Sequence, residues 1–306
     1  MVHLRHLREL HLGPREPGGP HAVAAASGLV ALGARLYVVF DDEPGLGVFG
    51  RDDPAHGRLL PLGGIDLSDD PAERKAAKPD LESLALLPAS AAWPDGALLA
   101  LGSGSTDRRE RGWLWPLAGE EAAAGTVELS LSALYDVLRR ELADLNVEGA
   151  AVAGDRLWLA QRGNGPAGEN ALVELDLAAA LERLTRDREL TAETLRGIHR
   201  HELGEVHGVE LAFSDLSPLP DGRLAFSAAA EAGASTYHDG PCVGAAVGVV
   251  DPGSEPARLV ALSEPWKVEG LDVTRASEGT LELLLVADPD DPDRPSPVFA
   301  ARAPLG

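Results

Sequence analysis

Five segments of the chain repeat one order of positions: a polar residue, a small one, an apolar alternation, a turn, and a strand rich in Leu and Val. They read Ser27-Gly28-Leu29-Val30-Ala31, Glu82-Ser83-Leu84-Ala85-Leu86, Glu148-Gly149-Ala150-Ala151-Val152, Ser214-Asp215-Leu216-Ser217-Pro218 and Glu269-Gly270-Leu271-Asp272-Val273. The strands that follow are Leu36–Phe40, Leu98–Leu101, Leu157–Gln161, Leu224–Ser227 and Leu283–Ala287. Pro94-Asp95-Gly96, Gly154-Asp155 and Pro220-Asp221-Gly222 mark hairpin turns between them. Starts at residues 27, 82, 148, 214 and 269 give spacings of 55, 66, 66 and 55 residues. Four short strands with loops fill such a unit, the size of a propeller blade.

The pattern predicts an all-β protein, a five-bladed β-propeller forming one domain over residues 1–306. The fifth unit looks one strand short. The alternating stretch His3–Leu12 is expected to supply that outer strand and close the ring, removing two open sheet edges. Two stretches change to helical spacing, Ser130–Leu145 and Leu177–Asp187, and read as insertions packed outside the ring. Trp113 and Trp115 alternate on one strand and are expected to pack between blades.

The repeat places Ser27, Glu82, Glu148, Ser214 and Glu269 at one height around the channel. Like charges held about 4 Å apart at intermediate dielectric cost several kcal/mol. Protonation, paired Lys or Arg, or a hard divalent cation would each answer that cost. Three carboxylates and two hydroxyls suit Ca²⁺, which takes oxygen ligands. No His or Cys stands at these positions, which disfavours zinc and copper. The competing reading is that each Glu merely caps backbone amides at a strand start.

Composition narrows the partners. A net charge of −22 argues against nucleic acid and anionic membranes. The single cysteine, Cys242, excludes an intrachain disulfide and fits a reducing compartment. The N-terminus shows no apolar stretch of signal-peptide length, so a cytoplasmic location is expected.

The order Ser, Glu, Glu, Ser, Glu resembles the calcium-activated nucleotidases, the soluble apyrase family. Short stretches carry the likeness. Leu36–Gly45 resembles that family's strand ending in Asp-Asp-Arg-Thr-Gly, and Lys78-Pro79-Asp80-Leu81-Glu82 its Phe-Lys-Ala-Glu-Trp. Lys267-Val268-Glu269-Gly270-Leu271 resembles its Lys-Tyr-Glu-Gly-Ile. Glu231 falls near its Lys-Ser-Glu-Glu, and Arg162 near its Pro-Arg-Arg. The resemblance implies a five-bladed propeller with Ca²⁺ held centrally by the five ring residues. It departs where Glu43 replaces the family's arginine and where Pro-Arg-Arg becomes Gln161-Arg162-Gly163. Asp80–Ala85 and Leu101–Ser105 also resemble bacterial phytase-type, esterase-like propellers.

Asp41, Asp42, Lys78, Asp80, Ser103, Ser105, Arg162, His207, Glu231, Lys267 and Asp288 flank the inner strands and are expected at the channel mouth. Asp41 and Glu231 are candidates to orient an attacking water, and Lys78 and Arg162 to clamp a small anionic substrate. Lys267 is a third candidate clamp. The competing reading is a ring of ion pairs that only balances channel charge. Three functions stay open: a calcium-dependent phosphohydrolase, a lactonase or esterase, and a non-catalytic propeller stapled by calcium. Arg108, Arg109 and Arg111 read as a solvated loop, and His201 and His207 as structural or exposed. Asp288–Asp293 reads as a solvated hairpin loop.

Overall fold

The computed structural model describes residues 1–13, 21–65, 67–68, 70, 73–74, 77–165, 168–232, 240–252, 258–277 and 279–305. Five antiparallel sheets make the five blades, four of them four-stranded and one five-stranded. Blade one is Ala26–Leu32, Arg35–Phe40, Gly45–Gly50 and Arg58–Pro61. Blade two is Leu81–Leu87, Ala97–Gly102, Arg111–Ala118 and Val127–Ser130, with the short strand Glu121–Ala122 alongside. Blade three is Val147–Ala153, Arg156–Gln161, Ala171–Asp176 and Leu195–Arg200. Blade four is Ala212–Pro218, Leu224–Glu231, Cys242–Val250 and Arg258–Ala261. Blade five is Lys267–Ser277, Thr280–Asp288 and Pro297–Ala303, completed by Leu4–Glu9.

That last pairing closes the ring as the N-terminal alternation predicts, with Leu4 opposite Ala301 and His6 opposite Phe299. The turn glycines Gly96, Gly154 and Gly222 have positive φ, which lets the chain reverse there without a Cβ clash. Apolar faces of adjacent blades meet in continuous cores. Trp113 and Trp115 of blade two are buried against Tyr37 and Val39 of blade one, the expected inter-blade packing. Tyr37 also ties the two blades by donating to the Glu120 carbonyl at 2.7 Å.

The innermost strands of the five blades follow one another around the axis. Each carries a register shift near its first residues, and the shifts leave out Ser27, Glu82, Glu148, Ser214 and Glu269. All five ring residues are thus β-bulges, the extra residue that bends a strand and re-aims its side chain. The residue after the bulge lies where neighbouring inner strands come closest. A Cβ on Gly28 would stand 2.9 Å from the Leu84 nitrogen, and one on Gly149 2.9 Å from the Asp215 Cα. The Glu-Gly and Ser-Gly signature therefore records a bulge followed by a backbone contact.

Two ten-residue helices among the described residues are α1 (Ser132–Glu141) and α2 (Leu177–Arg186). The first is shorter than the sequence periodicity suggests. Ser130 is drawn into strand pairing by backbone bonds with Arg188 and Leu190, and Asp144 turns with a φ of 51°. Leu134, Tyr135 and Leu138 of α1 and Leu177, Ala180 and Leu184 of α2 enter the core shared by blades two and three. The Asp176 carboxylate caps α2 by accepting from the Ala179 N–H at 2.9 Å. No described helix is long and apolar enough to cross a membrane.

Blades five and one are tied by Asp272, whose carboxylate accepts the Ala31 N–H at 2.7 Å. Burial pushes its pKa up to about 6, against the opposing effects of that hydrogen bond and of Arg51. The folded state then binds this proton more tightly than the unfolded chain. Its contribution to stability falls as pH rises from about 4 through 6. Asp272→Asn keeps an oxygen acceptor and removes the charge. It should flatten that part of the stability profile and gain up to about 3 kcal/mol at pH 7. Urea unfolding in chelator from pH 4 to 8 checks this, and parallel profiles for the two proteins would refute it.

Candidate metal centre at the channel mouth

Inner strands begin and second strands end at the same face of the ring, so the residues flanking them converge there. From blade one comes Asp41. Blade two gives Lys78, Asp80 and Glu82 at its inner strand, and Ser103, Ser105 and Arg109 after its second strand. Blade three gives Asn146, Glu148 and Arg162, blade four Glu231, and blade five Lys267, Glu269, Asp288 and Asp290.

These groups form two adjoining clusters. In the first, Lys78 pairs with Asp41 and lies 3.1 Å from Asp80. Asp80 also receives Arg109 at 2.7 Å and the Ser103 hydroxyl at 2.5 Å. Arg109 donates to Ser105 at 2.9 Å as well. Asp80 holds a left-handed backbone, φ 57°, an unfavourable state for a non-glycine residue that these partners fix in place. Burial and the neighbouring Asp41 raise its pKa to about 7. Burial also opposes ionisation of Asp41, but Lys78, Asp80 and Arg109 together hold that carboxyl below its ordinary value.

In the second cluster, Arg162 reaches Glu231 at 2.6 Å, Glu148 at 3.2 Å and Glu269 at 3.6 Å. The Asn146 side chain donates to Glu148 at 2.6 Å. Lys267 lies 3.0 Å from Glu269, 3.3 Å from Asp290, 3.6 Å from Glu231 and 3.7 Å from Asp288. Arg162 and Lys267 are 3% and 4% exposed, so both are committed to carboxylates inside the protein. Burial, with the Glu148 charge adding, raises the Glu269 pKa well above the ordinary value despite Lys267. Burial raises Asp288 to about 6, Lys267 again opposing.

Glu82 joins the two clusters and differs from every other carboxylate in them. It takes no hydrogen bond or ion pair from any described residue. Burial and the charges of Asp41, Glu148, Asp80 and Glu269 all push its pKa well up. Oxygens of Asp41, Asp80 and Glu82 lie within 4.8 Å of one another, a cluster able to hold a metal ion. The ring hydroxyls have partners of their own. Ser214 donates to the Val268 carbonyl at 2.7 Å and sits 2.9 Å from Ser227, while Ser27 is 3.4 Å from the Ala25 carbonyl.

Other residues fall outside this set. His207 turns away in the tight connection between Glu205–Val206 and Val209–Glu210. His201 is buried edge-on to Phe213. Arg109 corrects the reading of its loop as wholly solvated, since it folds inward to Asp80. Asp288 lies at the mouth as its place after the second strand predicts, and Asp290 corrects the reading of the rest of its loop as solvated, because Lys267 draws both there. Asn146 carries a sequence signal of its own: it stands two residues before its ring glutamate, as Asp80 and Lys267 stand before theirs.

Fold and site together define a five-bladed propeller with an acid-rich, ion-paired channel mouth. The chain belongs to the family of unknown function DUF6929, which matches residues 22–302. No curated protein matches the sequence. Among solved structures, glutaminyl cyclase of Myxococcus xanthus is similar, with a TM-score of 0.49 and 13% identity over 100% of this chain and 98% of that one. The mannose phosphorylase MPT-4 of Leishmania mexicana gives 0.48 and 13%, over 97% and 88%. A luciferin-regenerating enzyme gives 0.43 and 10%, over 93% of each chain. None of these likenesses bears on chemistry, and the propeller rests on the strand pairing itself.

Proposed function

We propose that the channel mouth binds calcium. The observation that carries this is the balance of charge. Among the described residues, Asp41, Asp80, Glu82, Glu148, Glu231, Glu269, Asp288 and Asp290 meet four cationic side chains, Lys78, Arg109, Arg162 and Lys267. The surplus is negative, enclosed, and centred on the unpaired Glu82. Buried charge of one sign is costly unless neutralised. The donors are all oxygen, which suits a hard cation, and Ca²⁺ tolerates irregular oxygen shells better than Mg²⁺ does. Ser27, Glu82, Glu148, Ser214 and Glu269 would hold it, with Asp41 and Asp80 beside Glu82.

Differential scanning fluorimetry tests the binding. At a free concentration about 100 times its dissociation constant, calcium should add about 2.7 kcal/mol to the folded state. An unchanged Tm between chelator and millimolar Ca²⁺ would refute it.

The reaction we propose is hydrolysis of a phosphoanhydride such as a nucleoside di- or triphosphate. A bound cation would polarise a phosphoryl oxygen. Asp41, held ionised by Lys78, and Glu231, anchored by Arg162, would orient the attacking water. Lys78 would meet the anion, and Arg162 would keep Glu148 and Glu231 in place. Phosphate release measured with and without calcium tests the reading, and turnover independent of calcium or undetectable would end it. The enclosure of Arg162 and Lys267 favours a second reading, a non-catalytic propeller in which calcium only staples the blades. Stabilisation by calcium with no turnover would select it.

A further inference from the structure

One residue departs from the repeat at the position that follows the bulge. Blades one, three and five have Gly28, Gly149 and Gly270 there, and blade two has Ser83. Blade four has Asp215, fully buried, where its neighbours have almost nothing. One carboxylate oxygen accepts the Leu216 N–H at 2.8 Å, and the other accepts the Leu271 N–H of blade five at 2.7 Å. No described cationic side chain pairs with it. A buried carboxylate without a counter-ion is expensive, and oriented N–H groups are the remaining way to hold it.

The donors stand close to the ring. Leu216 and Leu271 each lie two residues after a ring residue, Ser214 and Glu269. One side chain thus ties the bulged strands of blades four and five immediately beside their bulges. The blade-five strand in turn meets that of blade one where Gly270 would clash with Leu29 if it carried a Cβ, at 3.0–3.1 Å.

We propose that Asp215 is a positioning residue that sets the spacing of the ring and through it the affinity and size preference for the cation. This inference rests on the calcium reading above. Partners behind a metal's ligands commonly govern affinity by about ten- to a hundredfold. Ser217 provides the control. Its hydroxyl accepts the Val273 N–H at 3.1 Å, a tie between the same two blades but further from the ring.

Asp215→Asn and Asp215→Ser should be compared with Ser217→Ala by calorimetric titration of chelator-stripped protein with CaCl₂ and with MgCl₂. The serine is the residue blade two already carries. Both Asp215 variants should lose about tenfold in calcium affinity and discriminate less between the two ions, while Ser217→Ala stays within about twofold. Amide exchange of the wild-type protein gives a second readout, independent of the variants' folding. Calcium should slow exchange at Leu216 and Leu271 more than at Val273. Wild-type protein that binds no calcium would end the reading beneath the inference. Wild-type protein that binds calcium, with Asp215 variants that match it or with equal slowing at all three amides, would overturn the inference alone.

Discussion

Glu82→Gln should raise the stability of the metal-free protein and abolish its response to calcium. The two effects have one cause. Glu82 is set among Asp41, Asp80, Glu148 and Glu269, whose charges all disfavour its ionised form, and no described group donates to it. Without a cation the carboxylate is a repulsive element. Gln keeps the shape and removes the charge, and relief of this kind is typically worth about 0.5–2 kcal/mol. With calcium the sign reverses, because the variant loses the ligand carrying the uncompensated charge. Thermal melts in chelator and in calcium, run on both proteins, give four values whose crossing is the expected result. A variant less stable than wild type in chelator would show that Glu82 serves the fold instead. One still stabilised by calcium as strongly as wild type would remove Glu82 from the site.

The fold was legible because blade repeats leave a periodic mark. Each bulge demands a residue whose side chain can enter the channel. In three of the five blades the contact behind it demands glycine, so Glu148-Gly149 and Glu269-Gly270 stand out in the chain. The closing strand was legible for a related reason: the stretch His3–Leu12 reads as a strand with no partner nearby in sequence, and Leu4–Glu9 of it pairs with Pro297–Ala303. Residues at fixed offsets from the bulge, such as Lys78, Asp80 and Lys267, could be placed at the mouth from register alone.

What the pattern hid comes from loops and from side-chain length. Arg109 lies in a stretch of alternating charge that reads as solvated, and only the tertiary turn after Gly102 brings it to Asp80. The division of the ring was hidden too. The sequence sets three glutamates at one height, but Arg162 and Lys267 are long enough to reach Glu148 and Glu269 and not to pair with Glu82. Two of the three carboxylates are thus met directly by internal cations, while Glu82 has only the more distant charge of Lys78, and the demand for a guest falls on it. Asp215 was hidden because, in the sequence, an acid replacing glycine gives no sign of the backbone donors waiting for it.

Arg162→Met should be the most damaging single change at the mouth, costing about 3–5 kcal/mol in the absence of metal. Arg162 is shared by Glu148, Glu231 and Glu269 and is almost fully enclosed. Its removal leaves Glu148 with the Asn146 amide at 2.6 Å, and leaves Lys267 to serve Glu231 and Glu269 from 3.6 and 3.0 Å. Breaking a buried pair costs more than the pair itself contributes, because the stranded charge keeps its desolvation penalty. Against a net stability of about 5–15 kcal/mol, that loss approaches unfolding for a protein at the low end. Calcium should therefore recover more stability in Arg162→Met than in wild type, since the cation replaces part of what the guanidinium supplied. Adding Glu231→Gln should also recover stability, giving a non-additive double-mutant cycle with a coupling of roughly 1–3 kcal/mol. Urea unfolding of the four proteins measures this directly. A loss below about 1 kcal/mol for Arg162→Met, or strict additivity with Glu231→Gln, would mean that the three carboxylates do not share this arginine as their counter-ion.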